Sequence, residues 1–78
     1  GVCGACAEQR QSIIVPDVHA FPGHIACDSR TQSEIVVPVF DKAGQLAAVL
    51  DVDSEQPDAF DETDRSGLEA ICRDLLTA

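Results

Sequence analysis

The chain has no tryptophan, tyrosine or methionine, and its three aromatic residues are all phenylalanine, so its core falls to Val, Ile, Leu and Ala. Basic residues are scarce as well: five Lys/Arg stand against fourteen Asp/Glu, for a net charge of -9. That charge repels a phosphate backbone and an anionic membrane surface, which argues against nucleic acid or membrane as a partner. No apolar run reaches the ~20 residues of a membrane-spanning helix. With no signal peptide and no internal repeat, the expected location is the cytoplasm. Length is also short. Seventy-eight residues make at most one small domain, and such a domain buries only about 60% of its unfolded surface, so a staple or a partner would help it.

Cysteine, by contrast, is plentiful: Cys3, Cys6, Cys27 and Cys72. Three readings are open. A secreted disulfide framework fits poorly with the absent signal and the periodic helix and strands. A zinc staple is the second, since Cys3-Gly-Ala-Cys6 and His24-Ile-Ala-Cys27 make a C-x2-C…H-x2-C pattern of tetrahedral ligand types. Reactive thiols in a reducing compartment are the third. Cys27 stands out because it lies in the polar run FPGHIACDS, whereas a free cysteine usually packs as a small hydrophobe.

The spacing predicts a short helix over residues 4–10 and a strand at Ile13–Val15 that Pro16 stops. A long loop over residues 16–33 follows, of a length often functional in so small a domain. EIVVPVF and QLAAVLDVD then read as two strands of a hairpin turning at DKAG. Asp61 is the expected N-cap of a final helix, with Glu62 and Asp64 at the positive end of its dipole. Leu68, Ile71, Cys72, Leu75 and Leu76 form its expected core-facing stripe, and Cys72 reads as packing.

A hairpin that pairs Phe40 with Gln45 sets Val36 opposite Val49 and Glu34 opposite Asp51. One face then carries Ile35, Val37, Val39, Leu46, Ala48, Leu50 and Val52 and is expected to be the core. The other gathers Glu34, Asp51 and Asp53 at one end, beside Val36, Ala47 and Val49. Like charges opposed on a sheet destabilise it. The three acids are either a solvated patch or a site that receives a cationic group and keeps one carboxyl protonated. The apolar floor beside them suits a pocket for an apolar body with a charged head.

The run GVCG…IVPDV…FPGHIACD…SEIVVP…VLDVDS…FDETD…LE resembles the free methionine-R-sulfoxide reductases, a GAF-domain family. The resemblance implies an α+β fold, a GAF-type antiparallel sheet flanked by helices. That fold is longer than this chain, so residues 1–78 correspond to the C-terminal half of a single domain. A second chain, a homodimer or the missing N-terminal half would complete it. By the same resemblance, Cys27 attacks the sulfoxide and Cys3 joins the thiol relay. Glu34, Asp51 and Asp53 hold the free amino acid, with Glu34 and Asp53 assisting proton transfer to the oxygen, and His24 belongs to the substrate site. No metal or cofactor is implied, and a thioredoxin-like dithiol is the implied reductant. His24 taken alone either favours the Cys27 thiolate or hydrogen-bonds the loop backbone, and Asp28 either orients the loop or caps a turn. Cys6 is either packing or a substitute resolving thiol. Two rivals stay open: a GAF domain that binds a small molecule without chemistry, and a zinc-stapled module built on Cys3, Cys6, His24 and Cys27.

Overall fold

The computed structural model describes residues 1–20 and 30–77. Helix α1, Val2–Gln9, leads into strand β1, Ile13–Val15, and a 3-10 turn at Val18–Ala20. Strand β2, Ser33–Phe40, and strand β3, Leu46–Ser54, precede helix α2, Glu62–Thr77. The sheet is antiparallel in the order β1-β2-β3. His24, Cys27 and Asp28 lie outside the described residues, as does the side chain of Leu76.

Strand β2 is the axis of the molecule. All of its residues but Phe40 are buried, because each of its faces carries a helix. On one face Val36 packs with Val15 and Val18 beneath Val2 and Cys6 of α1. On the other, Ile35, Val37 and Val39 meet Cys72 of α2, with Ile14, Leu50, Val52, Phe60 and Leu68 around them. A strand covered on both sides reads as a continuous apolar run, which IVVPV is. Helix α1 begins two residues earlier than expected, since Val2 and Cys6, one turn apart, both reach the core. It ends at Arg10, whose backbone turns left-handed at φ 57° while its N–H donates to the Cys6 carbonyl. The loop after β1 is anchored where it leaves and returns: Val18 N–H donates to Gln32 O, and Gln32 N–H to Ser54 O.

The hairpin register differs from the expected one. Glu34 pairs with Asp53 and Val36 with Asp51, where the sequence suggested Asp51 and Val49. Two local features cause it. Asp41 and Gln45 close a three-residue connection in which Gly44 adopts φ 79° and Asp41 Oδ1 accepts the Ala43 and Gln45 N–H groups. Only glycine takes that backbone shape without strain. A bulge between Val39 and Phe40 then leaves Ala47 without a partner. The net slip is two residues, so side chains from Ala48 onward keep their faces, whereas Leu46, before the bulge, pairs with Phe40 and leaves the expected core face. Of the expected core face, Ile35, Val37 and Val39 are buried and Leu50 and Val52 partly so. Ala48, on the edge strand near the bulge, is exposed.

Helix α2 is capped as expected. Asp61 Oδ1 accepts the Asp64 N–H and Asp64 Oδ2 accepts the Asp61 N–H, a reciprocal box. Its rotation differs from the expected one. Leu68 and Cys72 reach the sheet, but Ile71 is 55% and Leu75 63% exposed. Ser12 of the α1–β1 connection hydrogen-bonds Glu69, and this fixes which side of the helix faces β1. Ile71 sits about 100° around the helix from Cys72, away from Glu69. No described helix is long and apolar enough to cross a membrane.

These positions predict a contrast. Ile35→Ala should cost ~3 kcal/mol through the cavity it leaves, while Ile71→Ala should stay within about 0.5 kcal/mol. Urea midpoints for the two variants check this, and equal losses would mean that Ile71 is core after all.

Candidate functional site

At the end of the sheet where β2 starts, three elements bring their polar side chains to one place. Strand alternation turns Glu34 of β2 toward the α1 face, with Val15 of β1 on one side and Asp53 of β3 on the other. Asp51, two residues before Asp53, shares that face. The first turn of α1 sets Cys3 above them, because Val2 and Cys6 point into the core and leave Cys3 half-buried at its rim. The Cys3 thiol donates to Asp51 Oδ2 across 3.5 Å. One ligand atom from each of Cys3, Glu34 and Asp51 lies within 4.8 Å of the others. The three acids and the thiol named from sequence as site residues in this part of the chain therefore meet, Asp53 completing the group through its contact with Glu34. His24 and Cys27 lie outside the described residues.

The electrostatics follow from burial. Glu34 is only 5% exposed, and a buried carboxylate loses its hydration. Burial, then the hydrogen bond and charge of Asp51, then those of Asp53, raise its pKa to about 8. At neutral pH Glu34 keeps its proton and donates it toward the neighbouring carboxylates, an arrangement that ionised acids alone cannot form. No buried side-chain nitrogen or oxygen among the described residues lacks a partner. The Cys3 thiol is pushed up to about 11, first by burial and then by Asp51 and Glu34. It acts here as a donor, not as a resident thiolate.

The same trio has the ligand types for a divalent cation. Binding one would displace the protons of both Glu34 and Cys3, so at neutral pH metal and proton compete for the site. Cys6, a ligand in the zinc reading, stands apart. It is wholly buried among Val2, Val15, Val18 and Val36, as a packing residue would be, and its thiol is raised by burial. Cys72 is buried on the opposite face. Sequence reasoning missed a second polar cluster, where Ser12, Arg65, Glu69 and Arg73 gather near Phe40. Its trace was the four-residue spacing of Arg65, Glu69 and Arg73 on one helix face.

A GAF domain model matches residues 1–78, and the chain belongs to the GAF domain family. GAF domain-containing protein A of Dictyostelium discoideum is 51% identical over 94% of this chain and 46% of its own length. Free methionine-R-sulfoxide reductase of Saccharomyces cerevisiae is 45% identical over 94% of this chain and 41% of its own. The X-ray structure of free methionine-R-sulfoxide reductase from Neisseria meningitidis in complex with its substrate superposes at TM-score 0.89 with 46% identity, covering 94% of this chain and 43% of that one. The chain thus spans less than half the length of these relatives.

Glu34 makes stability depend on pH in a definite direction. Its folded pKa lies above the ordinary value of 4.5, so the folded state holds the proton more tightly than the unfolded one. Its contribution is complete below about 4.5 and is lost as pH rises through about 8. In Glu34→Gln that decline should flatten, because the amide donates at every pH, and chemical unfolding of both proteins from pH 4 to 9 reads the difference. Carboxyl carbon NMR should also find the Glu34 midpoint lowered in Asp51→Asn. An unchanged midpoint there would rule out Asp51 as a cause.

Proposed function

We propose that this chain carries the catalytic half of a free methionine-R-sulfoxide reductase, a thiol-dependent enzyme of the reducing cytoplasm. The observation that carries the proposal is the buried, protonated Glu34 flanked by Asp51 and Asp53, with Cys3 beside them. The family relatives named for this activity support the same reading.

The ammonium of a free amino acid offers a cation to Asp51 and Asp53, whose like charges share one face. A methionine inside a protein has a neutral amide there instead, so the site selects the free molecule. Val49, half-buried on the face that Asp51 and Asp53 share, gives an apolar surface for its chain. Cys27 Sγ attacks the sulfoxide sulfur, and Glu34 gives its proton to the oxygen. Methionine departs reduced, and Cys27 retains the oxygen as a sulfenic acid. A second thiol condenses with it, releasing water and forming a disulfide. A thioredoxin-like dithiol then supplies the two electrons that restore both thiols. Among the described thiols, Cys3 alone reaches the acids, whereas Cys6 and Cys72 are enclosed. We assign Cys3 as the second thiol within this chain, and His24 to the substrate site beside Cys27. Residues 1–78 form the C-terminal part of one GAF domain, completed by its N-terminal part or by a second copy.

Turnover of free L-methionine-R-sulfoxide with dithiothreitol tests this. Cys27→Ser should abolish it, and Glu34→Gln should lower kcat about 100-fold, the usual scale of a general acid. N-acetylmethionine-R-sulfoxide, which lacks the ammonium, should react poorly. Cys3→Ser should keep turnover with dithiothreitol and lose it with thioredoxin. Activity that survives Cys27→Ser refutes the mechanism. Substrate binding without turnover, even after the N-terminal half is supplied in trans, identifies a binding-only domain.

A further inference from the structure

The five basic residues of this acidic chain are not spread evenly. Three of them, Arg10, Arg65 and Arg73, line one open groove of about 400 Å³, within the size range of small-molecule sites. The groove lies at the hairpin end of the sheet, between the end of α1 and the outer turns of α2. Its floor includes buried Pro38 and half-buried Phe40. Glu34 and Phe40 are six residues apart on β2, which puts this groove ~20 Å from the acidic site at ~3.3 Å per residue. The two are separate places.

Two carboxylates also line it, and both are already engaged. Glu69 accepts from Ser12 and pairs with Arg65 at 3.6 Å, and Asp41 Oδ1 accepts the Ala43 and Gln45 N–H groups. Three arginines against two acids leave the lining at +1 in a chain of -9. Arg10 stands at the rim. It makes no ion pair with the described residues, and it occupies a left-handed position, φ 57°, where glycine or asparagine is the usual residue. A large cation stands where the backbone favours glycine or asparagine.

We propose that this groove is a second ligand site, for a small organic anion whose apolar body lies on Pro38 and Phe40. Its charged group is held between Arg10 and Arg73. Guanidinium groups suit the role, since they meet carboxylate and phosphate oxygens with paired donors and stack against flat apolar groups.

Phenyl phosphate is the probe, titrated into the 15N-labelled chain. Saturable shifts are expected at the amides of Ser12, Phe40 and Asp41, with Cys3 and Asp51 unmoved. Inorganic phosphate and neutral benzyl alcohol should each bind at least about tenfold more weakly, because each lacks half of the recognition. Arg10→Gln and Arg73→Gln, made separately at exposed positions, should each weaken phenyl phosphate by a similar factor, Arg10→Gln at unchanged thermal midpoint. The proposal fails if no shift saturates, if inorganic phosphate binds as well, or if both folded variants bind undiminished.

Discussion

A carboxyl group enclosed between a helix and a sheet, with two other carboxylates on the same face, has to keep a proton. That requirement at Glu34 organises one end of this molecule. It demands that β2 be covered on the α1 face, since exposure would return the group to its ordinary ionisation. It demands that Asp53 and Asp51 be close enough to accept from it, which the antiparallel pairing of β2 with β3 ensures. It also ties Cys3 to the group, because a thiol facing two acids keeps its hydrogen and becomes one more donor. The apolar packing of Val2, Cys6, Val15, Val18 and Val36 is what keeps water from relaxing the arrangement. Packing and chemistry here share one strand, whose alternate residues serve one or the other.

The strands, both helices and the clustering of acids were legible in the sequence because each rests on a short-range pattern. Alternation through SEIVVPVF and LAAVLDVDS fixed the faces, and Asp61 before ETD marked the helix start. The register was less legible. It depends on Gly44 adopting a left-handed shape and on Ala47 dropping out of the ladder, and neither alters the apolar pattern. The burial of Ile71 and Leu75 was overestimated for a related reason. An amphipathic stripe records which residues are apolar, but β2 is narrow, and of the described stripe residues only Leu68 and Cys72 find it beneath them. The position of Cys3 above the acids depends on the angle at which α1 crosses the sheet, which no local pattern encodes; family resemblance carried that residue. The arginine groove draws on segments distant in sequence, so it emerges only when the chain is folded.

Charge in this molecule is therefore segregated along β2. Glu34, Asp51 and Asp53 gather at one end, and Arg10, Arg65 and Arg73 at the other, although acids outnumber bases in the chain as a whole. The strand between them is apolar on both faces, so the two ends do not neutralise each other through direct contact. At ~20 Å, about two Debye lengths at physiological ionic strength, their mutual influence through solvent is largely screened. Each end can meet its own ligand on its own electrostatic terms.

The hairpin carries two irregularities, each adding a single residue on the β3 side, and a pleated strand distinguishes only odd from even. The turn alone would set Glu34 opposite Val52 and put Asp51 and Asp53 beneath α2; the bulge restores the parity. Ala47 is the residue that the ladder passes over, so Val39 still meets Ala48 and Glu34 still meets Asp53 beyond it. Taking Ala47 out would leave each of those pairs in place and only make the ladder regular. The bulge is therefore slack in the strand: a residue lost near the turn is absorbed there, before the change reaches the acids at the far end.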